Sequence, residues 1–277
     1  MANSQLYFMF KDALLTAVHC RDESCGPFKL HTHTFAELYC ILEGRGTFHV
    51  EGSHYDLHPG DIMLMRPGEA HYIQVDPDIP YERICITFNI NLLAHLDPEN
   101  RLIAPYFERA SGVYNHYSGS SQALNLLRAA VAPGSTLATI SANLILILQI
   151  LQQEFRKKPQ LDQRKSSVEY RIIEHINRHL DQDLSIDRLC EEFYLSRAQL
   201  CRRFLKVTGT SIGKYVAAKR LIQARQLILQ GQKPTEIYTA CGYGDYATFY
   251  RAYRTYFGHS PKQAALPHPI DDRQEIS

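Results

Sequence analysis

Residues 234–261 read Pro-Thr-Glu-Ile-Tyr-Thr-Ala-Cys-Gly-Tyr-Gly-Asp-Tyr-Ala-Thr-Phe-Tyr-Arg-Ala-Tyr-Arg-Thr-Tyr-Phe-Gly-His-Ser-Pro. A related pattern at residues 184–209 reads Leu-Ser-Ile-Asp-Arg-Leu-Cys-Glu-Glu-Phe-Tyr-Leu-Ser-Arg-Ala-Gln-Leu-Cys-Arg-Arg-Phe-Leu-Lys-Val-Thr-Gly. Each stretch predicts a short helix, a tight turn and a second helix with basic residues on one face. The second helix of each stretch is expected to end at a glycine, Gly209 or Gly258, because glycine adopts left-handed backbone angles freely and commonly closes a helix. The sequence therefore predicts two successive helix-turn-helix units.

Charge is divided unevenly between the two halves of the chain. Residues 1–163 hold 12 Lys+Arg and 17 Asp+Glu, a net charge of −5, whereas residues 164–277 hold 18 and 12, a net charge of +6. A basic half that contains the paired motif fits a nucleic-acid-binding module. The seven cysteines form no Cys-x-x-Cys pair, which argues against a zinc knuckle. The N-terminus lacks a signal-peptide pattern, so we expect a cytoplasmic protein with no membrane partner.

The second helix of each unit is the one expected to enter the major groove, with its N-terminal residues at the base edges. The predicted DNA-binding residues of the first unit are Ser196, Arg197, Ala198, Gln199, Cys201 and Arg202. Those of the second unit are Asp245, Tyr246, Ala247, Thr248, Tyr250 and Arg251. Two core pairs four residues apart are expected to face inward, namely Leu200 with Phe204 and Phe249 with Tyr253. The basic residues better suited to phosphate contacts are Arg203, Lys206, Lys214, Lys219 and Arg254.

The N-terminal half has the pattern of a β-protein followed by helices. Between residues 28 and 90, short alternating runs are separated by Gly- and Pro-containing turns, which predicts an antiparallel barrel or jelly roll. Apolar residues then recur at threes and fours, which predicts helices over 101–109, 122–131 and 136–158, with a loop at 112–121. The polar stretch near 157–166 is expected to be the interdomain linker, and residues 212–230 predict a long helix joining the two motif units.

The segment Gly242–Pro261 resembles the signature of the AraC/XylS family of bacterial transcription regulators, and the resemblance covers residues 165–263. It implies an α+β two-domain fold: a cupin-like β-barrel with C-terminal helices over 1–160, then an all-α domain over 165–265 with two helix-turn-helix units joined by a long helix. It also implies that the two units enter successive major-groove segments of one DNA face. A regulator of this kind, most often an activator, is expected to bind double-stranded DNA, a small-molecule effector and RNA polymerase, and to form a homodimer.

A polar cluster is predicted inside the barrel. His31-Thr-His33-Thr-Phe-Ala-Glu37 has the spacing His-x-His-x3-Glu, and His71 follows after a further hairpin. If this segment is a strand, His31, His33 and Glu37 lie on one face, because side chains two apart point the same way. The pattern resembles metal-binding cupins, so His31, His33, Glu37 and His71 are candidate ligands for a divalent transition metal.

The same interior also fits a ligand site without metal. Together with Tyr39, the cluster offers hydrogen-bonding groups for a polyhydroxylated effector such as a sugar, and this interpretation requires no cofactor. Three functions therefore remain open: a regulator controlled by a small molecule, a metal-dependent cupin sensor or enzyme fused to a DNA-binding domain, and a ligand-independent DNA-binding dimer. Residues 1–25 are expected to act as a mobile arm through Tyr7, Phe8 and Phe10, or to add a strand to the barrel. The apolar stripe of 136–158 either covers the barrel or packs in a dimer.

Overall fold

The computed structural model describes residues 4–24, 28, 30–158 and 167–265. Within these residues, the N-terminal part contains nine strands: β1 (Ser4–Lys11), β2 (Leu15–Asp22), β3 (Ala36–Glu43), β4 (Gly46–Val50), β5 (Ser53–Leu57), β6 (Asp61–Met65), β7 (His71–Val75), β8 (Tyr81–Phe88) and β9 (His116–Ser118). They form a six-stranded sheet in the order β1-β2-β8-β3-β6-β9 and a three-stranded sheet in the order β5-β4-β7. Neighbouring strands pair antiparallel, which confirms the predicted antiparallel architecture.

Strand β3 shows why the barrel has two apolar layers. Alternate residues point to opposite faces of a strand. Leu38 and Cys40 are fully buried in the layer between the large sheet and the helices. Tyr39 and Ile41 face the other way and pack with Phe48 of the small sheet. A strand covered on both faces is buried on both, which explains the run of buried residues in β3, Glu37 among them.

Three helices cover the large sheet: α1 (Ala104–Phe107), α2 (Ser121–Ala130) and α3 (Leu137–Arg156). The predicted apolar stripe of α3 lies in the main core, with Ile140, Leu144, Ile147, Leu148 and Leu151 buried. Among the described residues, α3 is the one helix whose length and apolar composition would suffice to cross a membrane. Its buried stripe packs on the sheet, so covering the barrel is the role that the structure gives to this helix.

Two predictions in this region are wrong in extent. The helix expected over 101–109 forms only at α1, because the Asp97 carboxylate accepts the backbone N–H groups of Arg101 and Leu102 and holds them in a turn. At the other end, the Arg109 guanidinium donates to the carbonyl of Pro105, which in a continued helix would accept the backbone N–H of Arg109. The loop expected over 112–121 contains the short strand β9, which pairs with β6.

The N-terminal segment is a strand of the large sheet. Strand β1 pairs along its length with β2, with one irregularity between Leu6 and Phe8. Phe8 and Phe10 pack against the main core, while Tyr7 is exposed. Of the two roles expected for residues 1–25, the structure has the additional strand; residues 1–3 and 25–27 lie outside the described part of the chain.

The C-terminal part is helical, with α4 (Val168–Arg178), α5 (Ile186–Phe193), α6 (Arg197–Thr208), α7 (Ile212–Leu229), α8 (Pro234–Ile237) and α9 (Tyr246–Phe257), and a final 3-10 turn at Pro261–Ala265. Two small cores lie side by side. The first half of α7 contributes Ile212, Tyr215 and Val216 to one core. Its second half contributes Leu221, Ala224 and Ile228 to the other. One continuous helix therefore joins the two helix-turn-helix units, as predicted.

The helix ends follow from local sequence. Ser196 caps α6 in a reciprocal capping box with Gln199, and Ser185 caps α5. Gly209 and Gly258 close α6 and α9 with φ of 68° and 74°. Helix α8 begins at Pro234, because the ring of proline suits the first helical position. The predicted linker falls largely on residues 159–166, which lie outside the described residues.

Candidate DNA-reading surface and effector site

The reading helices α6 and α9 each bury one face and expose the other. Leu200 and Phe204 of α6 are buried in the first core, and Phe249 and Tyr253 of α9 are buried in the second, so both predicted core pairs are confirmed. Residues between these positions on the helix must point outward, because the helical period separates the two faces. The exposed residues among the predicted DNA-binding set are Ser196, Arg197, Ala198, Gln199, Arg202, Asp245, Ala247, Thr248 and Arg251. Cys201, Tyr246 and Tyr250 are half-buried.

Several of these polar side chains also hold the helix ends. The Gln199 amide oxygen accepts from the backbone N–H and hydroxyl of Ser196. The Asp245 carboxylate accepts from the backbone N–H and hydroxyl of Thr248, and the first of these bonds is the main reason that the pKa of Asp245 is lowered. The Arg197 guanidinium lies 2.7 Å from Asp187. Capping is therefore a structural role that these residues fulfil without DNA.

Arg202 and Arg251, at equivalent positions of α6 and α9, make fewer side-chain contacts within the protein than these capping residues. Among the described residues, Arg202 has no side-chain hydrogen bond or ion pair, and Arg251 makes one long contact of 3.3 Å to the Thr248 hydroxyl. Both side chains are exposed on the outer face of their helix. An arginine in this position can donate two hydrogen bonds to the O6 and N7 atoms of guanine. Arg202 and Arg251 are therefore the residues of the predicted set best placed to read a base.

Two features of this half are not evident from the local sequence. Tyr194 lies in the turn of the first unit with its side chain 94% exposed and a left-handed φ of 53°. Lys219 was predicted to contact phosphate, but its ammonium group is largely buried and lies 2.8 Å from the Glu51 carboxylate of the barrel. The sequence could not show this because Lys219 and Glu51 are separated by 168 positions. Arg203, a second predicted phosphate contact, pairs with Glu169 of α4.

The barrel brings together His33, Glu37 and His71. Their ligand-type atoms lie within 4.8 Å of one another. The Glu37 carboxylate is 2.7 Å from His33 Nε2 and 3.0 Å from His71 Nε2. Burial alone would raise the pKa of Glu37, but the hydrogen bond from His33 and the charges of His33 and His71 hold it well below its usual value. Glu37 is thus an ionised carboxylate in the interior of the barrel.

The protonation of the two imidazoles follows from their other contacts. His33 Nδ1 lies 2.8 Å from the carbonyl of Phe35, and His71 Nδ1 lies 2.8 Å from the carbonyl of Glu69. A carbonyl only accepts, so each Nδ1 donates. The ionised Glu37 carboxylate also only accepts, so His33 Nε2, which hydrogen-bonds to it over 2.7 Å, donates as well. Although His71 Nε2 is close to Glu37, it is buried and makes no hydrogen bond of acceptable angle. Nε2 of His33, Nε2 of His71 and the Glu37 carboxylate therefore converge on one point, where a bound cation would take the place of the His33 Nε2 proton.

His31 and Tyr39, the remaining candidates, also line this cavity, but the backbone around His31 differs from the prediction. His31 and His33 precede β3 and are not on a strand, because His31 makes only an isolated bridge to His71. The same-face argument for His31, His33 and Glu37 therefore does not apply. The His31 ring lies 4.4 Å from that of His71, but His31 is outside the three-residue ligand set. The Tyr39 hydroxyl bonds that of Tyr81, and burial raises its pKa well above the usual value.

The cavity itself is small. Its volume is about 50 Å³, and its wall consists of Val18, Cys20, Phe28, His31, Glu37, Tyr39, Phe48, His71, Ile73, Arg83 and Cys85. Arg83 and Cys85 were not predicted: the Arg83 guanidinium pairs with Asp22, and the Cys85 thiol donates to Glu37 over 3.0 Å. A cavity of this size holds a few water molecules. An effector larger than this would have to widen the barrel or extend through the side of the pocket that is open to solvent.

Comparisons with known proteins agree with this two-part architecture. A family profile described as "AraC-like ligand binding domain" matches residues 18–150, and one described as "Helix-turn-helix domain" matches residues 189–265. The Msm operon regulatory protein of Streptococcus mutans is 25% identical over 236 residues, which cover 82% of each chain. The HTH-type transcriptional activator RhaS of Escherichia fergusonii is 26% identical over 255 residues, which cover 86% of this chain and 87% of the relative.

The solved structure of ToxT from Vibrio cholerae aligns with 92% of this chain and 98% of its own, with a TM-score of 0.42 and 11% identity. The two family profiles span both the barrel and the paired helix-turn-helix units described above. The chain belongs to the AraC/XylS family and is a DNA-binding transcriptional regulator with an AraC-like ligand-binding domain.

Proposed function

We propose that this regulator is an activator that reads DNA with both helix-turn-helix units, responds to a small molecule held in the barrel, and recruits RNA polymerase in the cytoplasm. The observation that carries the proposal is the matched exposure of Arg202 and Arg251 above two buried core pairs. The sign of regulation is supported by the similarity to RhaS, which is named an activator.

The two reading surfaces differ in sequence, and this difference has a consequence for the DNA site. Arg202 follows Ala198 and Gln199 on α6, whereas Arg251 follows Ala247 and Thr248 on α9. Unlike side chains read unlike base pairs, because each pair presents its own pattern of donors and acceptors in the major groove. One protomer should therefore recognise two different elements, which together form a directional site.

Selection from a random DNA library tests this proposal and identifies the preferred DNA site at the same time. The full chain, immobilised at near-physiological salt, should enrich a motif of two unlike elements about 10 base pairs apart, the spacing of successive major grooves. The double variant Arg202→Ala/Arg251→Ala should enrich nothing above background. Failure of the wild-type chain to enrich any sequence would refute DNA reading by this surface.

The effector is proposed to be a small polyhydroxylated molecule such as a sugar. Hydrogen-bonding groups at His31, Glu37, Tyr39 and His71 face the cavity, and the Phe48 ring lies beside them. Rings of this kind pack against the apolar face of a sugar while the polar groups bond its hydroxyls. Because the cavity is small, a sugar that binds within it would have to widen the barrel, which gives the ligand a structural effect to transmit.

A thermal-shift panel of sugars and sugar acids tests the effector class. A ligand that binds only the folded chain stabilises it by about 2.7 kcal/mol when present at 100 times its dissociation constant. Such a ligand should lose its effect in Tyr39→Phe and Glu37→Gln but keep it in the exposed-surface variant Glu99→Gln. If no member of the panel shifts the wild-type transition, the sugar proposal is wrong and the ligand-independent dimer gains support.

A metal-dependent sensor is the second candidate, and one specific observation favours it. Each imidazole of the His33–Glu37–His71 cluster is anchored through Nδ1 to a backbone carbonyl, the arrangement that orients metal-ligating histidines. Imidazole nitrogens and a carboxylate would suit a divalent transition metal, which would supply a Lewis-acidic centre for an effector. After equilibration with Co²⁺ and desalting, the wild-type chain should retain one equivalent with visible absorption bands, and His71→Ala should retain none. Complete loss of cobalt from the wild type would exclude a stable site.

A homodimer is proposed through the outer face of α3. The stripe expected to pack in a dimer is used to cover the barrel, which leaves Leu146 47% exposed on the opposite side. Sedimentation should show that Leu146→Glu shifts the wild-type dimer to monomer. Leu229→Glu, at a position 51% exposed in the helical half, is the matched control and should leave the dimer intact. A wild-type monomer at micromolar concentration would contradict the proposal.

A further inference from the structure

Glu51 is a barrel residue whose carboxylate is surrounded by donors from the helical half. It lies in the turn between β4 and β5, with a left-handed φ of 48° and a fully buried side chain. From the barrel it accepts the Ala70 backbone N–H over 2.6 Å. From the helical half it accepts the Asn177 amide and the Lys219 ammonium, each over 2.8 Å, and the Tyr215 hydroxyl. These contacts define what we call the Glu51 latch.

The latch is a buried ion pair rather than a surface contact. The Lys219 side chain is 12% exposed and the Glu51 side chain 0%. A buried pair of charges is sensitive to rearrangement, because separating the partners leaves an unsolvated charge on each side. Small displacements of either partner are therefore costly, and the structure shows the closed arrangement.

The turn between β6 and β7 connects the contacts of Glu51 and Lys219 to the His33–Glu37–His71 cluster. Ala70, which donates to Glu51, immediately precedes His71. Gly68 donates its backbone N–H to the carbonyl of His33 over 2.9 Å and accepts Lys219 at its own carbonyl over 2.6 Å. The turn between β6 and β7 is thus bonded on one side to the cluster and on the other to α7.

We propose, resting on the function proposed above, that occupancy of the His33–Glu37–His71 site opens the Glu51 latch and thereby raises DNA affinity. A ligand that displaces His33 or His71 would also displace the turn at residues 66–71. This turn contains Gly68, one acceptor of Lys219, and Ala70, which donates to the other acceptor, Glu51. Opening frees a cation of the basic half that the closed latch neutralises, and DNA affinity rises with each cation available to phosphate. It also releases the basic half, with net charge +6, from the acidic half, with net charge −5.

A double-mutant cycle on the full chain tests the latch, with the selected DNA as the probe. Glu51→Gln should raise ligand-free affinity about tenfold, while Lys233→Met, which removes an exposed lysine outside the latch, should not raise it. His71→Ala should change affinity in the wild type but not beside Glu51→Gln, a departure from additivity of at least about threefold. Tyr215→Phe, which keeps the ring and removes one donor, should give a smaller rise if Glu51→Gln fails to fold.

The possible outcomes distinguish failure of the latch proposal from failure of the proposed function. If the wild type binds the selected DNA but Glu51→Gln and Tyr215→Phe do not bind more tightly, or the cycle is additive, the latch proposal is overturned and the proposed function stands. If the wild type shows no sequence-selective binding, the proposed function fails first. Amide exchange gives a readout without DNA: Ala70 should be protected in the wild type and should exchange at least tenfold faster in Glu51→Gln, and equal rates would overturn the latch.

Discussion

Arg202 and Arg251 stand at equivalent places in the two reading helices, each two residues before a buried aromatic, Phe204 or Tyr253. The repeated sequence pattern thus places an arginine and a buried aromatic residue at the same positions of both helices. Burial of the aromatic fixes the rotation of each helix, and the rotation exposes the arginine. The two copies therefore present the same base-reading group in different surroundings.

Replacing either arginine by alanine should weaken selective DNA binding. If each guanidinium reads a base, each substitution costs about 1–3 kcal/mol and relaxes the preference at its own position of the site. Arg45→Ala, which removes an exposed arginine from the barrel, is the matched control and should have no effect on selectivity. Competition binding with single-base variants of the selected DNA gives the measurement. An equal loss on all sequences would show phosphate contacts instead.

The docking of α6 on the barrel can be tested with two equivalent glycines. Gly209 and Gly258 both have left-handed φ, so alanine at either costs about 1–2 kcal/mol of folding free energy. A methyl group at Gly258 meets open space, whereas at Gly209 it would lie 2.4 Å from the Tyr72 hydroxyl. Tyr72 cannot easily yield because its ring stacks on His49 at 4.4 Å.

Urea unfolding should therefore show Gly209→Ala less stable than Gly258→Ala, by about 1–3 kcal/mol for the added overpacking. Shortening the neighbour in Gly209→Ala/Tyr72→Ala should remove most of this excess relative to Tyr72→Ala alone. Equal stabilities of the two single variants would mean that α6 does not rest on Tyr72 in solution.

Acid stability should depend on Glu69. Its carboxylate is buried and paired with Arg109 over 2.7 and 2.8 Å. Burial alone would raise the pKa of Glu69, but Arg109 lowers it to about 2 from an ordinary 4.5. Because the folded pKa is the lower one, the stabilisation is present above pH 4.5 and is lost as pH falls towards 2. This shift corresponds to about 3 kcal/mol.

Glu69→Gln should lose stability at neutral pH, by about 3–5 kcal/mol, since Arg109 is left buried and unpaired. Its unfolding free energy should also fall less steeply between pH 4.5 and 2 than that of the wild type. Glu99→Gln, at an exposed position, should match the wild type. Parallel pH profiles for wild type and Glu69→Gln would rule out this ion pair as the source of acid sensitivity.

Local features of the fold were predictable because they depend on neighbours in sequence. Ser196 with Gln199 marks a helix start, Gly209 marks a helix end, and the spacing of Leu200 and Phe204 marks a core face. Features set by distant partners were not predictable. Strand β9 has three residues and exists only because β6 lies beside it.

In the candidate site, too, features set by neighbours in sequence were predictable and features set by distant partners were not. Residue types and spacing picked out His33, Glu37 and His71, but the strand rule placed His31 and His33 wrongly because the chain before β3 is irregular. Lys219 looked like one basic residue among many on a DNA-binding domain. Only the folded chain shows that its charge is matched by Glu51, a residue of the other half.

Hydroxyl-radical footprinting of the wild-type chain on its selected DNA tests the central claim most directly. Two helix-turn-helix units joined by one α7 helix should protect two unlike elements on the same face, about 10 base pairs apart. Arg202→Ala should weaken protection of one element and Arg251→Ala that of the other. A single protected element, or two elements that both substitutions affect equally, would contradict the account.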